Sequence, residues 1–402
     1  MKTKLQSQLL LGGMAGLLVL GAISCGDNTS VSCTPLRVFN NLNQATEERH
    51  LTLPHVANSG LEVRTSFGSI SVVADPALTN VEVTAKLVAG GYTTEAAMTN
   101  LTKIAVKTKR RPDNILEIWA EFPEGSTSSE SFPFEVHIPF FHVSRSSRGS
   151  GCSFEVRIPE AQGVKAKTSH GAVTLKGLSG TAEVETTFGG VTVTEHRGPV
   201  EARTSNGPVH LENVEGTVHA RTTFGRVTVH GVRGKVEATN SNGGIEVAEV
   251  TESVQVTTTF GSVTVREAGG NVTVEDSNGT IKVENAKGNV RAGTTFGSVT
   301  VREAGGEADL RSSNGSITYA PATGNENRFD LRTTFGKVEV RLPASAKGKV
   351  QAETSFGNIK VDGTRQPLSV TGDKTHKQIV LTETGPESRI NTSHGSIHIS
   401  LE

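Results

Sequence analysis

Large side chains are scarce in this chain. Aromatic residues make up 4% of 402, with one Trp and two Tyr, which argues against a single broad globular core. A thin, continuous core needs fewer of them. Cysteine is limited to Cys25, Cys33 and Cys152, so the chain can form at most one internal disulfide. Neither sign of charge dominates: Lys and Arg number 40 against 41 Asp and Glu, a balance that excludes the basic footprint of a nucleic-acid-binding protein. Long apolar runs are missing apart from Leu9–Ile23, which at about 15 residues is short of the roughly 20 that a membrane helix needs. No C-terminal sorting signal is visible.

That short run has a different use. Lys2 and Lys4 precede it, and Ala22-Ile23-Ser24-Cys25 ends it. A basic start, an apolar stretch and small residues before a cysteine resemble a bacterial lipoprotein signal peptide. The resemblance implies cleavage before Cys25, lipid on its thiol and amine, and a membrane-anchored position in the cell envelope, periplasmic or surface-exposed. Cys33 and Cys152 then remain in an oxidising compartment, where they can pair or stay as two separate thiols.

What the chain has in abundance is glycine, 44 residues of it. Gly recurs every nine positions from Gly171 to Gly243 and, after Glu252, from Gly261 to Gly324. A short period held this long marks a solenoid. Val, Ile or Leu falls two and four positions after a motif Gly, as in Val191/Val193, Val227/Val229 and Ile281/Val283. That alternation belongs to half-buried strands, and Gly at each bend suits a tight turn. The expected fold is all-β: a parallel β-solenoid with a small α+β cap or insertion at its N-terminal end.

A longer period is superimposed. The residue before the motif Gly alternates: Phe188, Asn206, Phe224, Asn242, Phe260, Asn278, Phe296, Asn314. The sequence therefore repeats every 36 positions, and a coil could span 18 or all 36 of them. Like-on-like stacking favours 36, whereas the number of inward residues a narrow roll can hold favours 18. With 18, Phe and Asn share one structural ladder, and about thirteen coils make a rod of about 60 Å.

The expected organisation is a leader over 1–24, a tether over 25–50, a first rung plus insertion over 51–162, and regular solenoid over 163–402. In the insertion, the spacing predicts a short helix over 93–104 capped by Thr93 or Thr94, with strands at 115–122, 134–139 and 154–159. Lys103, Lys107, Lys109, Arg110 and Arg111, ahead of Pro112-Asp113-Asn114, suggest a solvated loop.

Chemistry is thin along the array. The turns lack the Asp pattern of a calcium roll. Glu195, Glu212, Glu267, Glu284 and Glu303 recur with the repeat, as solvated turns do, and no break sets up paired carboxylates. His196, His210, His219 and His230 lie within two coils but have no fixed metal spacing. Neither a catalytic residue, a metal nor a cofactor is assigned.

The Thr-Thr-Phe-Gly-x-Val-Thr-Val and Ser-Asn-Gly-x-Ile-x-Val units resemble the bacterial adhesin-type domains of unknown function related to the head GIN domain, over roughly residues 60–402. The resemblance implies an envelope-associated β-solenoid without catalytic residues. On this reading the protein is a lipid-anchored, non-catalytic binding or structural module. Its partner would be an envelope protein, a glycan or a second copy of itself. The alternatives are an envelope sensor working through 76–160 and, further off, a polysaccharide-active enzyme.

Overall fold

The computed structural model describes residues 38–40, 43–122, 149–364 and 366–402. The leader, Cys25, Cys33, most of the 25–50 segment and the strand expected at 134–139 lie outside them.

Each coil of the array is two strands joined by two turns. On one side Val191, Val209, Val227, Ile245, Val263, Ile281 and Val299 stand in parallel register. On the other, Val200, Val218, Val236, Val254, Val272 and Val290 do the same. Facing residues such as Lys165 and Glu183 lie 18 positions apart in the chain. The coil is therefore the shorter of the two candidates, and the 36-residue period lies on top of it. The two alternating apolar residues of each strand point inward and are buried, Val227 and Val229 completely so. Fully burying such a side chain contributes about 1.5–3 kcal/mol, and stacking makes the core continuous.

A third inward position was not legible from alternation. After the second valine, Glu195, Glu267 and Glu303 adopt left-handed backbone with φ of 54–55°. This kink turns the following residue inward: Ala268 and Ala304 are buried there, as is His196 in register with Val214. Of the recurring glutamates, these three sit at the kink. Glu212 and Glu284 lie one residue earlier, on the outer face of the strand.

The motif glycines serve close approach more than bending. A Cβ on Gly207 would stand 2.0 Å from the carbonyl oxygen of Gly189, and one on Gly315 would stand 1.8 Å from that of Gly297. Successive coils touch backbone to backbone at these points.

Both ends depart from sequence order. At the N-terminal end the strands Gly60–Arg64 and Ile70–Ala74 form the first rung, directly below Gln162–Lys167 and Val173–Lys176. The insertion adds a further rung outside it, with Ile115–Glu121 parallel to Gly60–Arg64 and Gly151–Ile158 parallel to Ile70–Ala74. Pairing then switches to antiparallel. Asn80–Gly90 covers Gly151–Ile158, Gln44–Pro54 covers Asn80–Gly90, and Ala105–Arg110 covers Ile115–Glu121. The helix Thr94–Thr102 is capped by Thr93, whose hydroxyl accepts the Ala96 N–H, and it buries Ala97 and Leu101.

Two expectations change here. Residues 44–50 belong to a strand instead of the tether, because Ala45 and Glu47 face inward and Glu47 meets Arg49 at 2.7 Å. The basic cluster is not a loop. Lys107, Lys109 and Arg110 lie on the strand Ala105–Arg110, which has a strand partner on one side only among the described residues and where cations discourage further strand pairing, while Arg111 is held by Asp113, Glu62 and Glu117.

At the C-terminal end the last coil in sequence is not the last in space. Glu387–Thr392 pairs with both Phe329–Thr333 and Lys349–Thr354. Ile397–Leu401 likewise lies between Val338–Leu342 and Ile359–Gly363. The chain therefore lays down the outer coil first and returns to fill the gap. A hairpin of Ser369–Gly372 and His376–Val380 then covers one outer edge in antiparallel fashion. The array over 163–402 is thus regular only up to about 342.

Candidate binding surface

The residues before the motif glycines form one unbroken line. Parallel bridges join Phe67, His170, Phe188, Asn206 and Phe224, and then Asn242, Phe260, Asn278 and Phe296; Phe224 and Asn242 face each other in strand register. Asn314, Phe335, His394 and Phe356 continue it. The phenylalanines are not in the core. Phe188, Phe224, Phe260 and Phe296 are 50–58% exposed, and Phe356 is 75% exposed. The ladder inferred from the sequence exists, but it runs along the outside of one turn edge.

Its two ends are built alike. His170 stacks between Phe67 and Phe188 with ring centroids 4.7 and 4.8 Å apart. His394 stacks between Phe335 and Phe356 at 4.7 Å from each. This second stack exists only because the last coil of the sequence slots in between its two predecessors. In sequence order Phe335 and Phe356 would be neighbours; in space the alternation of Phe with a polar residue never breaks.

The surroundings of the ladder are almost free of charge. From Ser66 to Ser355, the residue before each ladder position is Ser or Thr. The residue after the motif Gly is small or uncharged in every coil except those of Arg226 and Lys337. The opposite turn edge carries Arg197, Glu215, Arg233, Glu252 and Lys287. Ion pairs join neighbouring coils there and on the faces, such as Arg233–Glu215 at 3.0 Å and Lys165–Glu183 at 2.8 Å.

Beneath the ladder runs a second one that sequence reasoning missed. Two residues before most ladder positions, a buried hydroxyl donates to the motif-Gly carbonyl of the preceding coil: Thr186 to Gly171, Thr204 to Gly189, Thr222 to Gly207, Ser312 to Gly297, at 2.9–3.1 Å; the buried Thr258 hydroxyl makes no such bond. Asn240 does the same work, its amide donating to Gly225 and Gly243 at 2.8 and 2.9 Å. Asp276 occupies the equivalent place without a donor. Its Oδ1 accepts the Asn278 N–H, but its buried Oδ2 has no partner, and burial raises the carboxyl above the usual carboxylate range. The recurring Thr was a visible signal; its departure at Asp276 gains meaning only from the geometry.

The histidines separate. His196 is buried, and its Nε2 lies 2.8 Å from the Gly180 carbonyl. Desolvation lowers its pKa, so the neutral ring donates through that nitrogen. His210 and His230 lie on one face, His219 on the other, and each meets its own glutamate, as His219 meets Glu237 at 3.2 Å. Among the described residues no three metal-ligating side chains converge, and no helix is long and apolar enough to cross a membrane. Cys152 faces the core, fully buried, with its thiol pushed up to about 12 by desolvation.

Comparison with known proteins gives a family. The Toastrack DUF4097 model matches residues 29–302 and 232–400. No curated protein matches. Similar solved structures include a provisionally named cell adhesion protein from Clostridium sporogenes, at 10% identity and a TM-score of 0.16, covering 89% of this chain and 100% of that one. A provisionally named adhesin from Bacteroides fragilis is 10% identical with a TM-score of 0.25, covering 89% and 97%. A provisionally named lipid binding protein from Parabacteroides distasonis is 9% identical with a TM-score of 0.26, covering 89% and 96%.

Proposed function

This chain belongs to the Toastrack DUF4097 family, and on that footing we propose that it is a non-catalytic binding module of the bacterial cell envelope, tethered by lipid on Cys25, with the ladder edge as its contact surface. The observation that carries the reading is the line of half-exposed phenylalanines on the one edge almost without charge. Exposed apolar surface costs solubility and marks interaction sites when it is contiguous. Depletion of charge around aromatic residues is the composition of interface centres. Repetition along a rod of about 60 Å turns weak single contacts into avidity. Within the described part of the insertion, Ile115–Glu121 and Gly151–Ile158 pair with the first rung of the solenoid.

Two measurements test this. Mass spectrometry of the mature protein should find acyl chains on Cys25 that are lost in Cys25→Ser; an unmodified Cys25 would sink the anchor. In the second, Phe224→Ser, Phe260→Ser and Phe296→Ser are combined. Retention of the full chain by isolated envelopes should fall at least about tenfold, the loss expected when central aromatic contacts are truncated. Undiminished retention would move the contact surface elsewhere.

A further inference from the structure

We infer that the ladder edge docks a second copy of this chain, lying antiparallel to the first about a two-fold axis near Phe260. The inference rests on the reading of that edge as the contact surface and names its partner.

The ladder reads the same in both directions. Phe260 is its midpoint, with Phe224 and Phe296 two coils away on either side, His170 and His394 one coil from the ends, and Phe67 and Phe356 at the ends. Closed symmetric dimers use isologous contacts, in which the same patch meets itself with its direction reversed. A palindromic ladder meets that condition, because a reversed copy presents the same sequence of rings and polar groups with the same spacing. The palindrome is absent from the primary sequence and arises only where the coil containing His394 inserts between its two predecessors.

Charge selects the antiparallel arrangement over the parallel one. Two cations flank the ladder, Arg226 beside Phe224 and Lys337 beside Phe335. In a parallel pair each would face its own copy. In the reversed pair Arg226 falls opposite Ser298 and Lys337 opposite Gly190, so neither of these two cations meets its own copy. The faces of the rod, crowded with Lys, Arg and Glu, offer no such neutral strip.

The area is sufficient. An edge about 60 Å long and about 10 Å wide covers roughly 600 Å² on each partner, or about 1,200 Å² in total, at the lower bound of specific interfaces. With the axis at Phe260, Phe260 meets its own copy, Phe224 meets Phe296 and Asn242 meets Asn278, so ring packs on ring and amide faces amide along the edge.

The test uses the full chain in detergent. Sedimentation at about 10 µM should show a dimer, and the combined Phe224→Ser, Phe260→Ser and Phe296→Ser variant should raise the dissociation constant at least about 100-fold. Its melting temperature should stay near that of the parent, since these rings lie outside the core. Orientation is read separately in a Cys33→Ser background. A chain carrying Thr187→Cys should cross-link to one carrying Thr334→Cys with a thiol reagent spanning about two coils, roughly 10 Å. Neither should cross-link to its own kind. A monomer, a dimer insensitive to the triple variant, or Thr187→Cys chains cross-linking to one another would each overturn the inference. So would a monomer whose binding to phospholipid vesicles depends on the three phenylalanines. A monomeric parent still retained by envelopes through those rings defeats the pairing and leaves the broader reading standing. A dimer lost in the triple variant with envelope retention unchanged does the reverse.

Discussion

Gly207→Ala should destabilise the solenoid by about 4 kcal/mol or more, the range reserved for changes with no local escape. The added Cβ would lie 2.0 Å from the Gly189 carbonyl oxygen and 2.4 Å from its carbon. These are backbone atoms, so no rotamer change relieves the clash. The coils would have to separate, breaking the bonds that Gly189 and Val191 donate to Asn206 and Pro208 at 3.0 and 2.9 Å. Solenoid stability is a sum of coil terms and nearest-neighbour interfaces. Damage at one interface in the middle should therefore uncouple the two halves, and denaturant unfolding should split into two transitions. Gly293→Ala is the control. Nothing lies within 4 Å of a Cβ there and the backbone is ordinary strand, so a gain of about 0.5–1 kcal/mol is expected. A single unshifted transition for Gly207→Ala would show that coil spacing is not set by glycine.

Asp276→Asn should stabilise the protein by about 1–2 kcal/mol at neutral pH, the cost of leaving a buried acceptor unmatched. Asp276 Oδ2 and the Gly261 carbonyl oxygen lie within 2.5 and 2.2 Å of one point, the site of a Cβ on Gly279. One acceptor therefore faces another where neighbouring coils have a donor. Asn240 shows what an amide does there, bonding two glycine carbonyls while its Oδ1 accepts the Asn242 N–H. The pH dependence follows from the sign of the shift. Burial raises the folded-state pKa of Asp276 above its unfolded value of about 4. The proton thus stabilises the folded chain fully below that value, and its contribution is lost as pH climbs through the folded-state pKa. Parent and variant should have similar denaturation midpoints in acid and diverge towards neutral pH. A gap that is constant from pH 3 to 7 would mean that Asp276 does not take up the donor role by protonation.

Much of this was legible in the residues. Alternating Val on either side of a nine-residue glycine period can bury one face only as stacked strands. The Thr93 cap and the strand at 115–121 follow from the same local rules. The count of inward residues pointed to a coil of half the superimposed period, which the strand register bears out. Less legible were the features created by stacking itself. The inward third position depends on a left-handed Glu that no period-two pattern displays. The exposure of the Phe line could not be read, because a residue beside a turn glycine is not committed to either face until the coils above and below are placed.

What the sequence determined alone is therefore the repeat: strand positions, glycine contacts, and the alternation of Phe with a polar residue, all set by chemistry within one or two coils. The order in which coils lie against one another at the two ends was decided by tertiary structure. Parallel pairing is a contact through space, and adjacency in the chain does not dictate it once a loop is long enough to pass over a coil. Only that reordering puts His394 between Phe335 and Phe356 and makes a periodic sequence into a symmetric edge.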